Sequence, residues 1–343
     1  MQLLADWTIE HGGRRRTIEL LHGDLSHIPP HHAVDILIVS AFPDDYTPTP
    51  RSLIGALDRA GISVAQLARS KQVDMRTEFS CWLSQPVIGA SSFRHVLCVE
   101  SGWRGTPPET TDDLFRALVP FSVTEFPNGS VAMPLIGSGE QGYSQDLMLE
   151  SILKAAVSWI RRGLSISVLK IVVFSPDSVE GARQRFLEVQ RLESGVTTGA
   201  SLLLEIAAPK YDVFLSYAHE DAEPAKAIAE SLTNSRPGMR VFYDRKALAP
   251  GASWLMQIAA SLDNSRRVAA LYTPEYWKSK YCKDEFAAAW IRQNDSGVPV
   301  LYPIYLLSAE IPYMFRGMEY ADCREADRTK LAEACQILGQ VLV

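Results

Sequence analysis

The fold of this chain is most constrained by the stretch 210–290, where strand-like and helix-like segments alternate. Residues 211–216 read YDVFLS, a short apolar run typical of a buried strand. A helical segment, 220–232, follows an acidic turn, which suits the positive end of a helix dipole. Two further strand candidates, 240–243 and 267–272, are each followed by a helical segment. Strands that alternate with helices predict a parallel sheet covered on both faces.

Three ordered blocks of sequence in and around this stretch carry a family resemblance. They read YDVFLSYAHED, VFYDRKALAPGASW and VAALYTPEYWKSKYCKDEF, and the apolar run VPVLYPIY at 298–305 follows them as a further strand candidate. In order and spacing these blocks resemble a TIR domain. The resemblance implies a flavodoxin-like α/β domain with a parallel sheet, which we assign to residues 209–343.

The resemblance also implies a catalytic residue. TIR domains that act as enzymes break the nicotinamide–ribose bond of NAD, and Glu285 matches their essential glutamate in the helix after the third strand. Tyr281 precedes it by four residues, so ring and carboxylate share a helical face, whereas Asp284 points about 100° away. A carboxylate suits the reaction because cleavage gives the ribose oxocarbenium character. The open alternative is a surface glutamate in a TIR domain used only for protein assembly.

The other candidate contacts follow from position, because ligands of open parallel sheets bind at the carboxyl ends of the strands. We expect NAD, as substrate rather than cofactor, to meet Phe214, Ser216, Tyr217, Ala218, Asp221, Tyr243, Asp244, Arg245, Trp254 and Tyr281. Trp254 begins a predicted helix at 254–262 and would serve equally as a core anchor. Trp277 and Tyr281 lie one helical turn apart and are also consistent with core packing. The loop 246–253 matches the family's BB loop, which implies self-assembly into a homo-oligomer.

The first part of the chain, residues 1–178, shows a similar alternation. Continuous apolar runs predict strands at 17–21, 34–40, 95–100, 130–136 and 168–175. Helical segments are predicted at 52–60, 111–119 and 144–162. The last of these has an apolar stripe of helical period, formed by Leu147, Leu149, Ile152, Leu153, Ala156, Val157 and Ile160.

The segment GSGEQGY, residues 137–143, lies between the fourth of these strands and the long helix. Gly137, Gly139 and Gly142 match the GxGxxG spacing of a dinucleotide-binding turn. That fingerprint needs an acidic residue about 20 positions further on, at the end of the next strand, and here that strand ends far too late. A Rossmann site is therefore disfavoured. A phosphate-binding loop at a helix N-terminus and a tight turn that needs glycine both stay open.

Four segments extend this pattern: IELLHGDLSHI, VDILIVSAF, SVAMPLIGSGEQGYSQDLMLESILKAAVSWI and VLKIVVFSPD. Together they resemble the macrodomain family, which binds ADP-ribose and related nucleotides. The resemblance implies a mixed sheet with flanking helices, and it matches Asp24 to the family's adenine-contacting aspartate. It matches the family's diphosphate loop to Gly137, Ser138, Gly139, Glu140, Gln141, Gly142 and Tyr143.

The segment SAFPDDYTPTPRS, residues 40–52, departs from the macrodomain pattern. The family usually carries an asparagine-rich segment and a glycine-rich loop at this place. The missing asparagines argue against ADP-ribosyl hydrolysis, and the missing glycines imply a different ligand pose. A nucleotide sensor with altered ligand choice and a macro-like scaffold that binds nothing both stay open.

Residues 179–208 are predicted to form a helical linker between the two domains. The helical pattern covers 179–193, the small polar run SGVTTGAS follows at 194–201, and the apolar run 202–207 is a strand candidate that we leave unassigned.

Composition limits the partners and the compartment. The net charge of −6 disfavours nucleic acid. Five widely spaced cysteines without a CxxC pair disfavour both a disulfide framework and a zinc site. His27, His31 and His32 are more typical of a solvated loop than of a metal site. Without a spanning apolar run or a signal-like N-terminus, we expect a cytoplasmic protein with no membrane contact.

Together these features predict an NAD+ glycohydrolase (NADase), a hydrolase that converts NAD and water to nicotinamide and ADP-ribose or a cyclised product. The resemblance implies a role in bacterial anti-phage (antiviral) defence or cell-death signalling, regulated by the macro-like domain and by TIR self-assembly. The alternative is a non-enzymatic adaptor whose TIR domain recruits other TIR domains.

Overall fold

The computed structural model describes residues 1–89, 92–100, 107–138, 143–204, 209–243, 261–312 and 315–342. Contacts divide the chain into an N-terminal unit, Met1–Ala200, and a C-terminal unit, Ser201–Val343. Each unit has its own sheet and its own apolar core. No helix within the described ranges is long and apolar enough to cross a bilayer.

An eight-stranded mixed sheet forms the centre of the N-terminal unit, as the macrodomain resemblance predicted. Its strands are β1 (Gln2–His11), β2 (Arg14–His22), β3 (Val34–Ala41), β4 (Lys71–Met75), β5 (Cys81–Ser84), β6 (Phe93–Glu100), β7 (Gly129–Pro134) and β8 (Ile166–Val173). Their order is β1-β2-β8-β7-β3-β6-β5-β4. The run from β2 to β6 in this order is parallel, and the pairs β1–β2, β6–β5 and β5–β4 are antiparallel.

The five predicted strands of this unit are all present, and the strands that the sequence did not reveal are the outer ones. β1 buries Trp7 and Ile9 on one face and exposes most of its other side chains. β4 and β5 have only five and four residues. Such strands lack the continuous apolar run that identifies the central parallel strands.

The helices that the structure describes in the N-terminal unit are α1 (Leu53–Arg59), α2 (Val64–Leu67), α3 (Arg76–Phe79), α4 (Pro107–Val123) and α5 (Gln145–Arg161). Helix α6 (Val179–Leu204) begins in this unit and ends four residues past its boundary at Ala200. The predicted stripe of α5 is buried, with the exception of Leu147, which is 44% exposed. Met148 is buried in its place, because neighbouring residues differ by about 100° around a helix. Helix α6 continues through 194–201, so residues 202–204 are helical rather than extended.

The C-terminal unit contains a parallel five-stranded sheet, which confirms the predicted fold class. Its strands are β9 (Tyr211–Ser216), β10 (Val241–Phe242), β11 (Ser265–Tyr272), β12 (Leu301–Tyr305) and β13 (Ala321–Asp322). Their order is β10-β9-β11-β12-β13, and every pair is parallel. The helices that the structure describes in this unit are α7 (Ala222–Ser235), α8 (Pro274–Lys278), α9 (Lys280–Ser296) and α10 (Arg328–Gln340).

Successive side chains of β9 point to opposite faces of the sheet, and a layer of helices packs on each face. Val213 and Leu215 join an apolar cluster with residues of α7 and α10, including Leu232 and Leu338. Phe214 and Ser216 point to the opposite face. This face of the sheet is covered by α8 and α9, and their aromatic cluster contains Tyr272, Tyr276, Trp277, Phe286, Trp290 and Phe315.

Trp277 and Tyr281 lie on two separate helices, so the prediction of one continuous turn between them is wrong. Ser279 separates α8 from α9 with an extended backbone, φ −69° and ψ 121°. Its hydroxyl caps α9 by accepting from the N–H of Cys282 at 3.3 Å. Trp277 therefore packs in the aromatic cluster and is 8% exposed, whereas Tyr281 is not a core residue.

Three other bounds differ from the sequence prediction. Helix α7 begins at Ala222 because His219–Asp221 forms a separate 3-10 turn. Strand β10 is only two residues long, and β12 begins at Leu301 instead of 298. The predicted helix 254–262 lies outside the described residues except for its last two positions.

Candidate functional site

The carboxyl end of β9 carries Ser216, against which α8 and α9 place two polar side chains. The Ser216 hydroxyl donates to Oε2 of Glu285 across 2.6 Å. The Tyr276 hydroxyl lies 3.0 Å from the same Ser216 oxygen and 3.2 Å from the backbone carbonyl of Cys282. Glu285 is only 5% exposed. The fold therefore brings the candidate catalytic carboxylate to the sheet edge where ligands of parallel sheets bind.

A second polar cluster joins the turn after β9 to the start of α8. The Thr273 hydroxyl donates to Oδ2 of Asp221 at 2.6 Å and accepts from the N–H of Tyr276 at 3.0 Å. Burial raises the pKa of Asp221 above its usual range, and the hydrogen bond from Thr273 only partly opposes this shift. Asp221, a predicted substrate contact, thus holds the residue that caps α8.

Three other predicted contacts are packed into the C-terminal unit. Phe214 stacks on Phe242, with 5.2 Å between ring centroids, and Ala218 is buried. The Tyr217 hydroxyl donates to the backbone carbonyl of Tyr243 at 2.6 Å. None of these three side chains is more than 8% exposed.

Of the remaining predicted contacts of this unit, the structure describes Tyr281, which lies on α9 with Glu285. Tyr281 and Glu285 differ in exposure, 43% against 5%, although they are four residues apart on α9. Asp244, Arg245, Trp254 and the loop 246–253 lie outside the described residues.

Sequence reasoning misses Tyr276 and Thr273. Threonine followed by Pro274 is a recognisable helix start, with an N-cap residue and proline at the first helical position. That signal locates the start of α8, whereas the break before α9 lies at Ser279, a serine in the N-cap position of α9. No local pattern indicates that the Tyr276 hydroxyl meets Ser216, which is 60 positions away in sequence.

A cavity of about 560 Å³ opens in the N-terminal unit where β3, β7 and β8 end. Three residues matched to the macrodomain ligand site, Asp24, Gly137 and Ser138, line it. The lining also contains Arg51, from the divergent segment 40–52, and Phe174, neither of which was a predicted ligand contact. Phe174 directly follows a buried strand yet is 73% exposed, which is unusual for a large aromatic side chain.

The carboxylate of Asp24 is held within a short turn at the cavity wall. Its Oδ1 accepts from the backbone N–H of Ser26 at 2.8 Å and from the Ser26 hydroxyl at 2.7 Å. Nδ1 of His27 lies 3.3 Å from Oδ2. Burial acts to raise the pKa of Asp24, but the contacts with Ser26 and His27 outweigh it and lower the pKa. Asp24 is therefore an ionised hydrogen-bond acceptor at neutral pH.

The described ends of the segment 137–143 meet just before α5. Gly137 has φ +82°, a left-handed conformation that favours glycine, and its carbonyl accepts from the N–H of Tyr143 at 3.1 Å. The hydroxyl of Ser138 donates to the carbonyl of Leu135 at 2.7 Å. Gly139, Glu140, Gln141 and Gly142 lie outside the described residues.

The wall that contains the divergent segment 40–52 is anchored by a buried carboxylate, Glu100. It accepts from the Tyr46 hydroxyl at 2.5 Å, from Nε1 of Trp82 at 2.9 Å and from the N–H of Asp44 at 3.2 Å. The same wall continues into α1, where the Ser52 hydroxyl accepts from the N–H of Gly55 at 3.0 Å.

The histidines considered as metal ligands have other neighbours. His27 contacts Asp24, and the rings of His31 and His32 lie 4.5 Å apart. Among the residues that the structure describes, no group of three His, Cys, Asp or Glu side chains is arranged to hold a metal ion.

Comparison with known proteins places the C-terminal unit in a family. Residues 213–338 match the family model described as TIR domain. The chain is 31% identical over 129 residues to the NAD(+) hydrolase PdTIR of Paracoccus denitrificans, which covers 37% of this chain and 41% of that protein. It is 24% identical over 125 residues to the probable 2′ cyclic ADP-D-ribose synthase BdTIR of Brachypodium distachyon, covering 36% and 54%. The matches thus span about half the length of these relatives.

Among solved structures, a variant of the Oceanobacillus iheyensis macrodomain is similar to this chain with a TM-score of 0.43. The identity is 16%, and the alignment covers 57% of this chain and 96% of that protein. By the family match at residues 213–338, the chain carries a C-terminal TIR domain.

Proposed function

We propose that the TIR domain cleaves NAD at the bond between nicotinamide and ribose, with Glu285 as the catalytic residue. The observation that carries this proposal is the buried Glu285 carboxylate, bound by Ser216 at the carboxyl end of β9. The names of the relatives, an NAD(+) hydrolase and a probable cyclic ADP-ribose synthase, support the substrate class.

The main contribution that this reaction needs from the protein is a negative charge positioned next to the ribose. When the C1′–N1 bond breaks, its electron pair leaves with nicotinamide, which departs neutral and needs no general acid. The positive charge that develops on the ribose is stabilised by the Glu285 carboxylate, and poor solvation of the site strengthens that interaction. Water adds to C1′ and loses a proton to give ADP-ribose, or a hydroxyl of the same molecule adds and gives a cyclised product. NAD is the substrate, and the proposal includes no separate cofactor.

The test of this assignment is Glu285→Gln in the full chain, with nicotinamide release from NAD as the measurement. The amide keeps the volume and can still accept from Ser216 but lacks the charge, so we expect a loss of about 10²-fold or more. The melting temperature should change little. Asp284→Asn, which neutralises the neighbouring carboxylate of α9, is the matched control and should keep near-wild-type turnover.

Two outcomes would contradict the assignment. Turnover that survives Glu285→Gln but is lost in Asp284→Asn would move the catalytic role to the neighbouring carboxylate. No nicotinamide release by the wild type at any protein concentration, together with binding to other TIR domains, would favour the non-enzymatic adaptor.

For the N-terminal unit, the proposed ligand is ADP-ribose or a closely related nucleotide. The cavity of about 560 Å³ has the size of a nucleotide site. Ionised Asp24 supplies an acceptor for the amino group of adenine, and exposed Phe174 offers a face on which a base can stack. The start of α5, next to the segment 137–143, favours a diphosphate through its N–H groups and dipole.

Regulation is proposed to link this ligand to self-assembly of the TIR domains through the loop 246–253. Because linkage is reciprocal, a nucleotide that promotes assembly must bind the assembled form more tightly. Turnover per subunit that rises with protein concentration would support assembly, and constant turnover would contradict it. Depletion of NAD fits anti-phage defence or cell-death signalling, for which infected cells carrying Glu285→Gln should keep their NAD.

A further inference from the structure

We propose that Tyr276 is a positioning residue for Glu285 and that it acts through the hydroxyl of Ser216. The inference rests on the proposed NAD cleavage, since it concerns the geometry of the carboxylate in that reaction. It also changes the expected role of Ser216, from a substrate contact to a link between two side chains.

The donors and acceptors determine in which direction the protons point along the hydrogen-bond series Tyr276–Ser216–Glu285. The Ser216 hydroxyl donates its single proton to Oε2 of Glu285 at 2.6 Å. The Ser216 oxygen is then left as an acceptor for the Tyr276 hydroxyl at 3.0 Å. Burial raises the pKa of Tyr276 far above its usual range, so its phenol stays protonated and can donate. Protons are therefore directed from Tyr276 to Ser216 and from Ser216 to Glu285.

Tyr276 is tied to the helix of Glu285 at a second point. Its hydroxyl lies 3.2 Å from the carbonyl of Cys282, three residues before Glu285 on α9. This carbonyl competes with Ser216 for the one phenol proton. The charge of Glu285 polarises Ser216 and favours the orientation toward Ser216, because linked hydrogen bonds strengthen one another in a poorly solvated site.

Because the hydroxyls of Ser216 and Tyr276 are buried, we assign them the role of positioning the Glu285 carboxylate. Ser216 and Tyr276 are both fully buried, and Glu285 is nearly so. A glutamate side chain has three rotatable bonds, and a charge-assisted hydrogen bond to one oxygen restricts them. Catalysis depends on this restriction, since a misplacement of about 1 Å can lower a rate by about 10²-fold.

The test compares Tyr276→Phe and Ser216→Ala with wild type in the full chain. We expect kcat to fall about 10- to 100-fold in Ser216→Ala, the range for a hydrogen bond to a charged group, and about 2- to 10-fold in Tyr276→Phe, the range for a hydrogen bond to a neutral group, with KM nearly unchanged. Tyr272→Phe is the matched control because the Tyr272 ring is equally buried and lies 6.0 Å from the ring of Tyr276. Within the described part of the chain its hydroxyl has no hydrogen-bond partner, so turnover should not change.

A double-mutant cycle with Tm as the measurement tests the same hydrogen-bond series without using activity. The losses in Tm of Tyr276→Phe and Glu285→Ala, which removes the acceptor, should be less than additive when Ser216 is present. They should become additive in the Ser216→Ala background, because the link between the two side chains is then absent.

The two measurements distinguish failure of the inference from failure of the proposed function. If Glu285→Gln is inactive while Tyr276→Phe has a wild-type kcat, the inference is overturned and NAD cleavage stands. If the wild type does not cleave NAD, the proposed function fails, and the unfolding cycle decides the inference. Additive losses with Ser216 present would overturn it.

Discussion

Asp221, a predicted substrate contact, also has a role in the fold. Its carboxylate is 7% exposed and accepts from the Thr273 hydroxyl. Burial has the largest effect and raises the pKa of Asp221 despite that hydrogen bond. The negative charges of the nearby acids Glu220 and Glu275 raise it further. The native state thus binds the proton of Asp221 more tightly than the unfolded chain does. The stability from this group is full below the unfolded pKa and is lost as pH rises through the folded pKa.

Asp221→Asn should therefore stabilise the protein more at pH 7 than at pH 4. The amide cannot ionise, and its oxygen can still accept from Thr273. The measurement is the difference in Tm between variant and wild type at the two pH values. An equal difference at pH 4 and pH 7 for Asp221→Asn would contradict the raised pKa.

At the scale of elements, the short helix α8 determines how the site is assembled. Thr273 begins it, and Ser279 ends it and begins α9. The break between the two helices places the Tyr276 hydroxyl and the Glu285 carboxylate on the same Ser216 oxygen. One continuous helix would carry these two side chains nine positions, about 13 Å, apart along its axis.

Thr273→Ala should destabilise the protein by about 1–2 kcal/mol, the usual cost of losing an N-cap. The change also removes the donor to the buried carboxylate of Asp221. Thr273→Ser is the matched control, since it keeps the hydroxyl and loses only a methyl group. Denaturant unfolding of both variants is the measurement. Equal losses for alanine and serine would show that packing of the methyl group, rather than the cap, accounts for the effect.

At the scale of the whole molecule, two sheets with different topologies occupy one chain, and each has its own candidate site. The two proposed activities share a chemistry, since ADP-ribose is the product of the first and the ligand of the second.

Asp24→Ala should weaken binding of ADP-ribose to the full chain by about 5- to 150-fold, corresponding to about 1–3 kcal/mol for a hydrogen bond to a charged group. Isothermal calorimetry is the measurement. Asp6→Ala, at an exposed position of β1 outside the cavity lining, should bind like wild type. If ADP-ribose at millimolar concentration does not bind, the sensor proposal fails and the N-terminal unit is better described as a scaffold.

The class of the N-terminal mixed sheet followed from the macrodomain resemblance. The sequence by itself determined the central strands, the parallel sheet of the C-terminal unit and the helix that carries Glu285. These features depend on local signals, namely continuous apolar runs and helical periodicity, which the chain displays wherever it folds into them. The outer strands β1, β4 and β5 were not predicted, because partial exposure and short length weaken the same signals.

Only the tertiary structure decided which side chains meet. Glu285 and Ser216 are 69 positions apart, and Asp221 and Thr273 are 52 apart, so their hydrogen bonds depend on how the strands pair and the helices pack. The exposure of Phe174 likewise became visible only when the sheet edge and the cavity were in place. Sequence periodicity specifies the face of an element on which a residue lies, whereas its partner is set by packing between elements distant in sequence.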